Sequence, residues 1–251
     1  MFGRVAARSI AGLLFVSLAV FGFPPAALAQ ARTDLAAIDP AELANPAPTA
    51  VEPFGRDAVP VAFGEILTKW SGVTADIRAE SDILARCRDD AESCPAAARK
   101  FLAVIAEGRA HDGRARIGVI NRAINLAIQP MSDLAQWGVP DRWTAPLATL
   151  ATGRGDCEDY AIAKYVALRE AGLAEQDVRL VIVRDLASGD DHAVAAARLD
   201  GSWIVLDNRR LALVPDVEMR RVVPLFVLDR DGVRQFTPTL AARAAPAALG
   251  F

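Results

Sequence analysis

Histidine is scarce in this chain: only His111 and His192 occur among 251 residues, so any chemistry that needs an imidazole must choose between two positions. Cysteine is nearly as rare, at Cys87, Cys94 and Cys157, and an odd count leaves one thiol over once a pair has formed. A basic stripe is absent. Lys and Arg are scattered among acids, the net charge is −3 and the isoelectric point is near 5.5, which removes nucleic acid from the expected partners. Beyond the N-terminus there is no apolar run of membrane-spanning length, and no internal repeat.

What is present is the composition of a globular protein. With 53% hydrophobic and 24% charged residues, the chain can build a substantial core in one large or two small domains. At the N-terminus Arg4 and Arg8 precede the apolar run from Ile10 to Phe23, and small residues at Ala27 and Ala29 fit an export signal cleaved after Ala29. That run falls short of the roughly 18 to 20 residues a spanning helix needs. Residues 1–29 are therefore expected to be removed and the mature protein to be soluble and exported, most simply into a bacterial periplasm. An oxidising compartment permits Cys87 and Cys94, close together in CRDDAESCP, to pair as a disulfide and leave Cys157 alone. Residues 30–60, rich in Ala and Pro, read as a flexible leader; a domain spans 61–238, and 239–251 form a loose tail.

Apolar residues recur at helical spacing over Phe63–Trp70, Ile77–Arg86, Ala96–Glu107 and Arg114–Ile128, which predicts a helical first half. Pro130 ends the last of these, and MSDLAQWGVPDRWTAP reads as an irregular connection whose Trp137 and Trp143 pack the loop or wall a cleft. A further helix is expected from Cys157 to about Ala171, with Asp156 as N-cap, Asp159 in the capping-box position and Gly172 at its end. The period then changes to that of strands at Val178–Asp185, His192–Leu199, Ser202–Asp207 and Val222–Asp229, with turns at Asp200-Gly201 and Asp231-Gly232. The fold class is α+β.

The strand pattern makes a geometric statement about His192. A two-residue Asp200-Gly201 loop pairs Leu199 with Ser202, so paired residue numbers sum to 401 and Val194 faces Asp207. His192 shares a face with Val194, which makes His192 and Asp207 diagonal neighbours roughly 7 to 8 Å apart at the backbone, within side-chain reach. An imidazole with a carboxylate behind it is two thirds of a nucleophile, base and orienter set, and Cys157 is the thiol left to complete it. In the first turn of a helix the thiolate is expected to be favoured by unpaired N–H groups and the helix dipole. His111, in the polar EGRAHDGRAR, reads as a solvated surface residue.

Asp156, Glu158 and Asp159 crowd that same thiol. Helix capping with dipole compensation is one account of them, and a bound cation is another.

With these residues assembled, the chain resembles the bacterial transglutaminase-like cysteine proteinases, periplasmic relatives of a protease that releases biofilm adhesins. The resemblance rests on WGVPDRWTAPLATLATGRGDCEDYAIAKYVALREAGL and DHAVAAARLDGSWIVLDN within about Phe63 to Phe236. It implies a papain-like transglutaminase core with N-terminal helices and a nucleophile-bearing helix packed on an antiparallel sheet. It further implies Cys157 as nucleophile, His192 as general base and acid, Asp207 as orienter, a thioester intermediate, and an oxyanion hole that includes the Cys157 N–H. Calcium bound through Asp156, Glu158 and Asp159 is implied too, with backbone carbonyls or other loops completing the six to eight or so oxygens it takes. The implied partners are a secreted or surface adhesin as substrate and an inner-membrane cyclic-di-GMP receptor. Two other readings keep the same residues: acyl transfer to an amine by a transglutaminase or amidase, and a non-catalytic calcium-stabilised binding module.

Overall fold

The strands carry apolar residues in nearly unbroken runs, and the reason is that the sheet is covered on both sides. In the computed structural model, which describes residues 51–238, the strands are β1 (Ala58–Pro60), β2 (Gln129–Pro130), β3 (Arg154–Gly155), β4 (Val178–Asp185), β5 (Asp191–Leu199), β6 (Ser202–Leu206), β7 (Val214–Pro215), β8 (Val222–Asp229) and β9 (Gly232–Phe236). Seven of them form one antiparallel sheet in the order β1-β9-β8-β4-β5-β6-β7, while β2 and β3 pair in parallel elsewhere. The helices are α1 (Glu65–Asp89), α2 (Ala96–Arg109), α3 (Gly113–Ala127), α4 (Asp133–Trp137), α5 (Pro146–Thr152) and α6 (Cys157–Glu170). The mixture is the expected α+β class. The export signal, residues 30–50 of the leader and the tail at 239–251 lie outside the described residues.

Alternation along the strands divides the core in two. Leu180, Ile182, Ala193, Ala195, Ala197, Ile204 and Leu206 face the helices, where α6 buries Ala161, Leu168 and Tyr165 among them. Val181, Val183, Val194, Ala196, Trp203, Val205 and Phe236 face the other way. That second face is covered by residues 51–60, which corrects their expected place in a flexible leader. Trp203 Nε1 donates to the Val51 carbonyl (2.8 Å), Phe54 packs edge-on against Phe236, and Glu52 pairs with buried Arg179 (2.8 Å) and with Arg234 (3.1 Å). The stretch has few large side chains, but it needs few, because the sheet face beneath it is already apolar.

Two other expectations change. The separate helical runs at 63–70 and 77–86 are one helix, α1, which passes through Ser71-Gly72 because its stripe Trp70, Val73, Ile77, Leu84 and Cys87 keeps one face buried. The Cys87–Cys94 disulfide joins its last turn to the start of α2. The connection after Pro130 is more regular than expected: α4 is capped by the Ser132 side chain, and α5 starts on Pro146 with its Leu147 and Ala148 N–H groups held by Glu80 of α1 (2.8 and 3.0 Å). Among the described residues no helix is long and apolar enough to cross a membrane.

Candidate active site

The β5–β6 hairpin has the expected register. Leu199 pairs with Ser202 and Ala195 with Leu206 across an Asp200-Gly201 turn in which both residues have positive φ. Continued by one residue, the ladder puts Asp207 opposite Val194 and diagonal to His192, and His192 Nε2 lies 3.0 Å from Asp207 Oδ1, with the two side chains 3% and 2% exposed. Burial alone would raise the Asp207 carboxyl, but the His192 hydrogen bond, the Arg209 N–H (3.0 Å) and the charge of Arg210 outweigh it and hold the group down at about 2. With Nε2 engaged, Nδ1 is the ring nitrogen left for other chemistry.

Cys157 is the first residue of α6, on the opposite layer. The helix packs on the face of β5 that carries Ala193 and Ala195, whereas His192, near the start of the strand, alternates to the other face. Cys157 and His192 both line a cleft of about 590 Å³, walled by Val61, Ile66, Trp143, Ile182 and Phe226. Trp143 reaches this wall through edge contact with Trp70 of α1, so the aromatic serves both packing and cleft. Behind the pair, His192 and Asp207 also line a cavity of about 220 Å³ with Arg209 and Arg210. His111 is on the surface, 3.3 Å from Glu107, as expected.

The thiol itself departs from expectation. Its hydrogen bond goes to Glu158 Oε2 at 3.1 Å, and its sulfur receives the Ala193 N–H; it meets His192 in a shared cavity and not through a hydrogen bond. Burial first, and the Glu158 carboxylate second, push the thiol well above its ordinary value. Desolvation and the neighbouring acid thus overcome the helix dipole that the sequence favours.

The acids do not cap the helix either. Asp156 occupies the N-cap position without a side-chain cap bond, and Asp159 Oδ1 accepts instead from the Thr144 N–H (3.0 Å) and hydroxyl (2.6 Å). Gly155 has to be glycine here, because a Cβ on it would lie 2.5 Å from Asp159 Oδ2. The capping-box expectation is corrected: Thr144, in the connection before α5, engages Asp159 instead.

A carboxylate cluster results. Asp133, Asp156 and Asp159 bring one oxygen each within 4.8 Å of one another, and so do Asp133, Asp141 and Glu158. Asp133 Oδ1, Asp156 Oδ1 and Asp159 Oδ2 are buried without a partner. Burial, followed for Glu158 by the charge of Asp156, pushes Glu158 up to about 9; burial pushes Asp159 up to about 7. Buried, orphaned, hard oxygen donors of one sign fit a divalent cation such as calcium. Asp133 and Asp141 were not legible as members. The parallel pairing of β2 with β3, with Met131 N–H bonded to Gly155 O (2.9 Å), brings the Asp133 loop alongside the nucleophile loop.

A helical layer on an antiparallel sheet, with one free thiol in a cleft shared with the histidine of a buried His–Asp pair, defines a transglutaminase-like cysteine peptidase. The chain belongs to the bacterial transglutaminase-like cysteine proteinase family (BTLCP), whose profile matches residues 80–218, more than half of its length. Among solved structures it is similar to calcium-bound Legionella pneumophila LapG, with 18% identity and a TM-score of 0.52 over 67% of this chain and 93% of that one. The EGTA-treated form of LapG gives 18% identity and a TM-score of 0.52 over 63% and 86% of the two chains. At this identity the likeness establishes a common fold. No curated protein matches the chain in sequence.

Proposed function

We propose that this cysteine peptidase is an exported endopeptidase in which Cys157 is the nucleophile, His192 the general base and acid, and Asp207 the orienter. The reading is carried by the 3.0 Å His192–Asp207 hydrogen bond at the end of the cleft into which Cys157 opens. The thiol proton passes to His192, and the thiolate attacks the scissile carbonyl to give a tetrahedral oxyanion. Collapse breaks the C–N bond, His192 returns the proton to the leaving amine, and a thioester remains. Water, deprotonated by His192, attacks the thioester, releases the carboxylic acid and restores the thiol. The Cys157 N–H, in the first turn of α6 and without an intrahelical partner, is an oxyanion donor.

Asp133, Asp156, Glu158 and Asp159 would hold calcium, the ion that one of the LapG structures contains. Bound there, calcium supplies positive charge that favours the thiolate and occupies Glu158, the acceptor that competes with His192 for the thiol. Removal of residues 1–29, a periplasmic location, an adhesin or other surface protein as substrate and restraint by a cyclic-di-GMP receptor follow from the signal-like N-terminus and the family resemblance.

The test uses the mature protein, its Cys157→Ala variant, and exported surface proteins from the same cells. Wild type with Ca²⁺ is expected to cut a surface protein that the variant leaves whole, and EGTA is expected to slow the cut. Undiminished cutting by Cys157→Ala removes the mechanism, and incorporation of an added amine into product, read by mass spectrometry, replaces hydrolysis with transamidation.

A further inference from the structure

Lys164 is fully buried, at 0% exposure, in the middle of α6. It falls on the helix stripe of Cys157, Ala161 and Leu168, positions i, i+4, i+7 and i+11, so it lies two turns below the thiol. Ala161 and Leu168 are ordinary core residues, and an apolar side chain at 164 would complete the stripe without taking a charge out of water. What the ammonium does reach is specific. Nζ donates to the Leu206 carbonyl at 3.3 Å, the last residue of β6 and the one that precedes Asp207, and it lies 5.8 Å from the centre of the Tyr160 ring.

The groups around it come from several elements. Asp207, at the end of β6, is the charge that attracts it; Tyr160 is on its own helix, with its hydroxyl committed to the Ile128 carbonyl (2.6 Å). From α3, Asn125 donates to the Asp207 and Arg210 carbonyls (both 3.0 Å) and Asn121 to the Leu211 carbonyl (3.1 Å). Arg210 faces Asp207 from the loop after β6, and His192 faces it from β5. Apolar Leu180 and Ile182 of β4 and Ile117, Ile120 and Ile124 of α3 belong to the same core.

We propose that Lys164 is a positioning residue: it ties the helix that carries the nucleophile to the strand end that carries Asp207, and its charge moderates the pull of Asp207 on His192. The proposal rests on the assignment of Cys157, His192 and Asp207 given above. Without the ammonium, Asp207 acts on the imidazole unopposed and His192 holds its proton more tightly. The layers are also released from each other at the point where thiol and imidazole must meet. Burial lowers the ammonium to about 7 against the attraction of Asp207, so the position holds its charge at a cost that an apolar residue would not have.

The test is a titration that needs no substrate. With only two histidines, the ring signals of His192 are separated from those of His111 by a His111→Gln variant, and the His192 midpoint is read by NMR in otherwise wild-type, Lys164→Met and Lys164→Gln protein. Both substitutions are expected to raise that midpoint by about half a pH unit or more, with Lys164→Met as thermally stable as wild type or more so. In turnover, kcat is expected to fall about tenfold or more with KM little changed, and the pH limb that reports His192 to move upward by the same interval. Lys164→Arg, which keeps the charge, is expected to leave the His192 midpoint near its wild-type value. If Lys164→Met does not fold, Lys164→Gln, which retains a donor for the Leu206 carbonyl, supplies the same readout. A His192 midpoint unmoved in the folded variants overturns the proposal even if the enzyme proves to be a peptidase; a moved midpoint in a protein that cleaves nothing counts against the peptidase reading and leaves the electrostatic link standing.

Discussion

Thr144 gives both its N–H (3.0 Å) and its hydroxyl (2.6 Å) to one oxygen of Asp159, Oδ1, and leaves the other, Oδ2, buried and without a partner. One oxygen is pinned so that the side chain presents a fixed face to Asp133 and Asp156. Outer partners of this kind commonly change metal affinity by about 10- to 100-fold when lost. Thr144→Val keeps the backbone donor and the shape but removes the hydroxyl. A calcium midpoint weakened about tenfold or more is expected in a calorimetric titration. A midpoint equal to wild type would mean that the N–H alone sets Asp159.

The same cluster predicts how stability depends on pH. Glu158 and Asp159 have folded values raised to about 9 and about 7, above their ordinary carboxylate values. Groups of that kind add stability that is complete below the unfolded value and is lost as pH rises through the folded one. In EGTA, Tm is therefore expected to fall by at least about 5 °C between pH 5 and pH 9. Calcium is expected to restore it most at the alkaline end, because binding requires the ionised carboxylates. A curve in EGTA that stays level over this range would contradict the assignment. Asp207 acts in the opposite sense. Held at about 2, it contributes stability above its unfolded value that is lost as pH falls through about 2, so it shapes only the acid limb.

Cys87 and Cys94 close a loop of sequence separation 7 between α1 and α2, remote from the cleft. Loop-closure entropy for so short a ring gives about 2 kcal/mol. Cys87→Ser with Cys94→Ser is expected to lower the unfolding free energy by about that much in a denaturant titration, with the reactivity of Cys157 per folded molecule unchanged. Loss of Cys157 alkylation in the folded double variant would tie the staple to the site.

How much of this could be read in advance varied with the range of the interaction. The Asp200-Gly201 turn fixes the hairpin register, and the register fixes which face His192 and Asp207 share, so that pairing is a local consequence of two residues. Asp133 could not be found the same way. Its place beside Asp156 depends on a two-residue parallel pairing between segments that flank two helices, and neither Gln129-Pro130 nor Arg154-Gly155 carries a strand pattern. Residues 51–60 were misread for a related cause: composition measures what a segment can bury by itself, and these residues cover an apolar face supplied by other strands. The helix-dipole argument for Cys157 counted a local effect and could not count burial by the walls of the cleft or the Glu158 carboxylate, both of which push the thiol up.

The sequence by itself determined the elements, the hairpin that joins imidazole to carboxylate, and the thiol at a helix start, since each follows from periodicity, turn chemistry or spacing within a few residues. Only the tertiary structure decided that Cys157 and His192, from opposite faces of the sheet, line one cleft. It also decided that the thiol binds Glu158 and that buried Lys164 bonds the Leu206 carbonyl next to Asp207. Those outcomes depend on which surfaces lose water together, and desolvation is a property of the packed layers that no short stretch of chain contains.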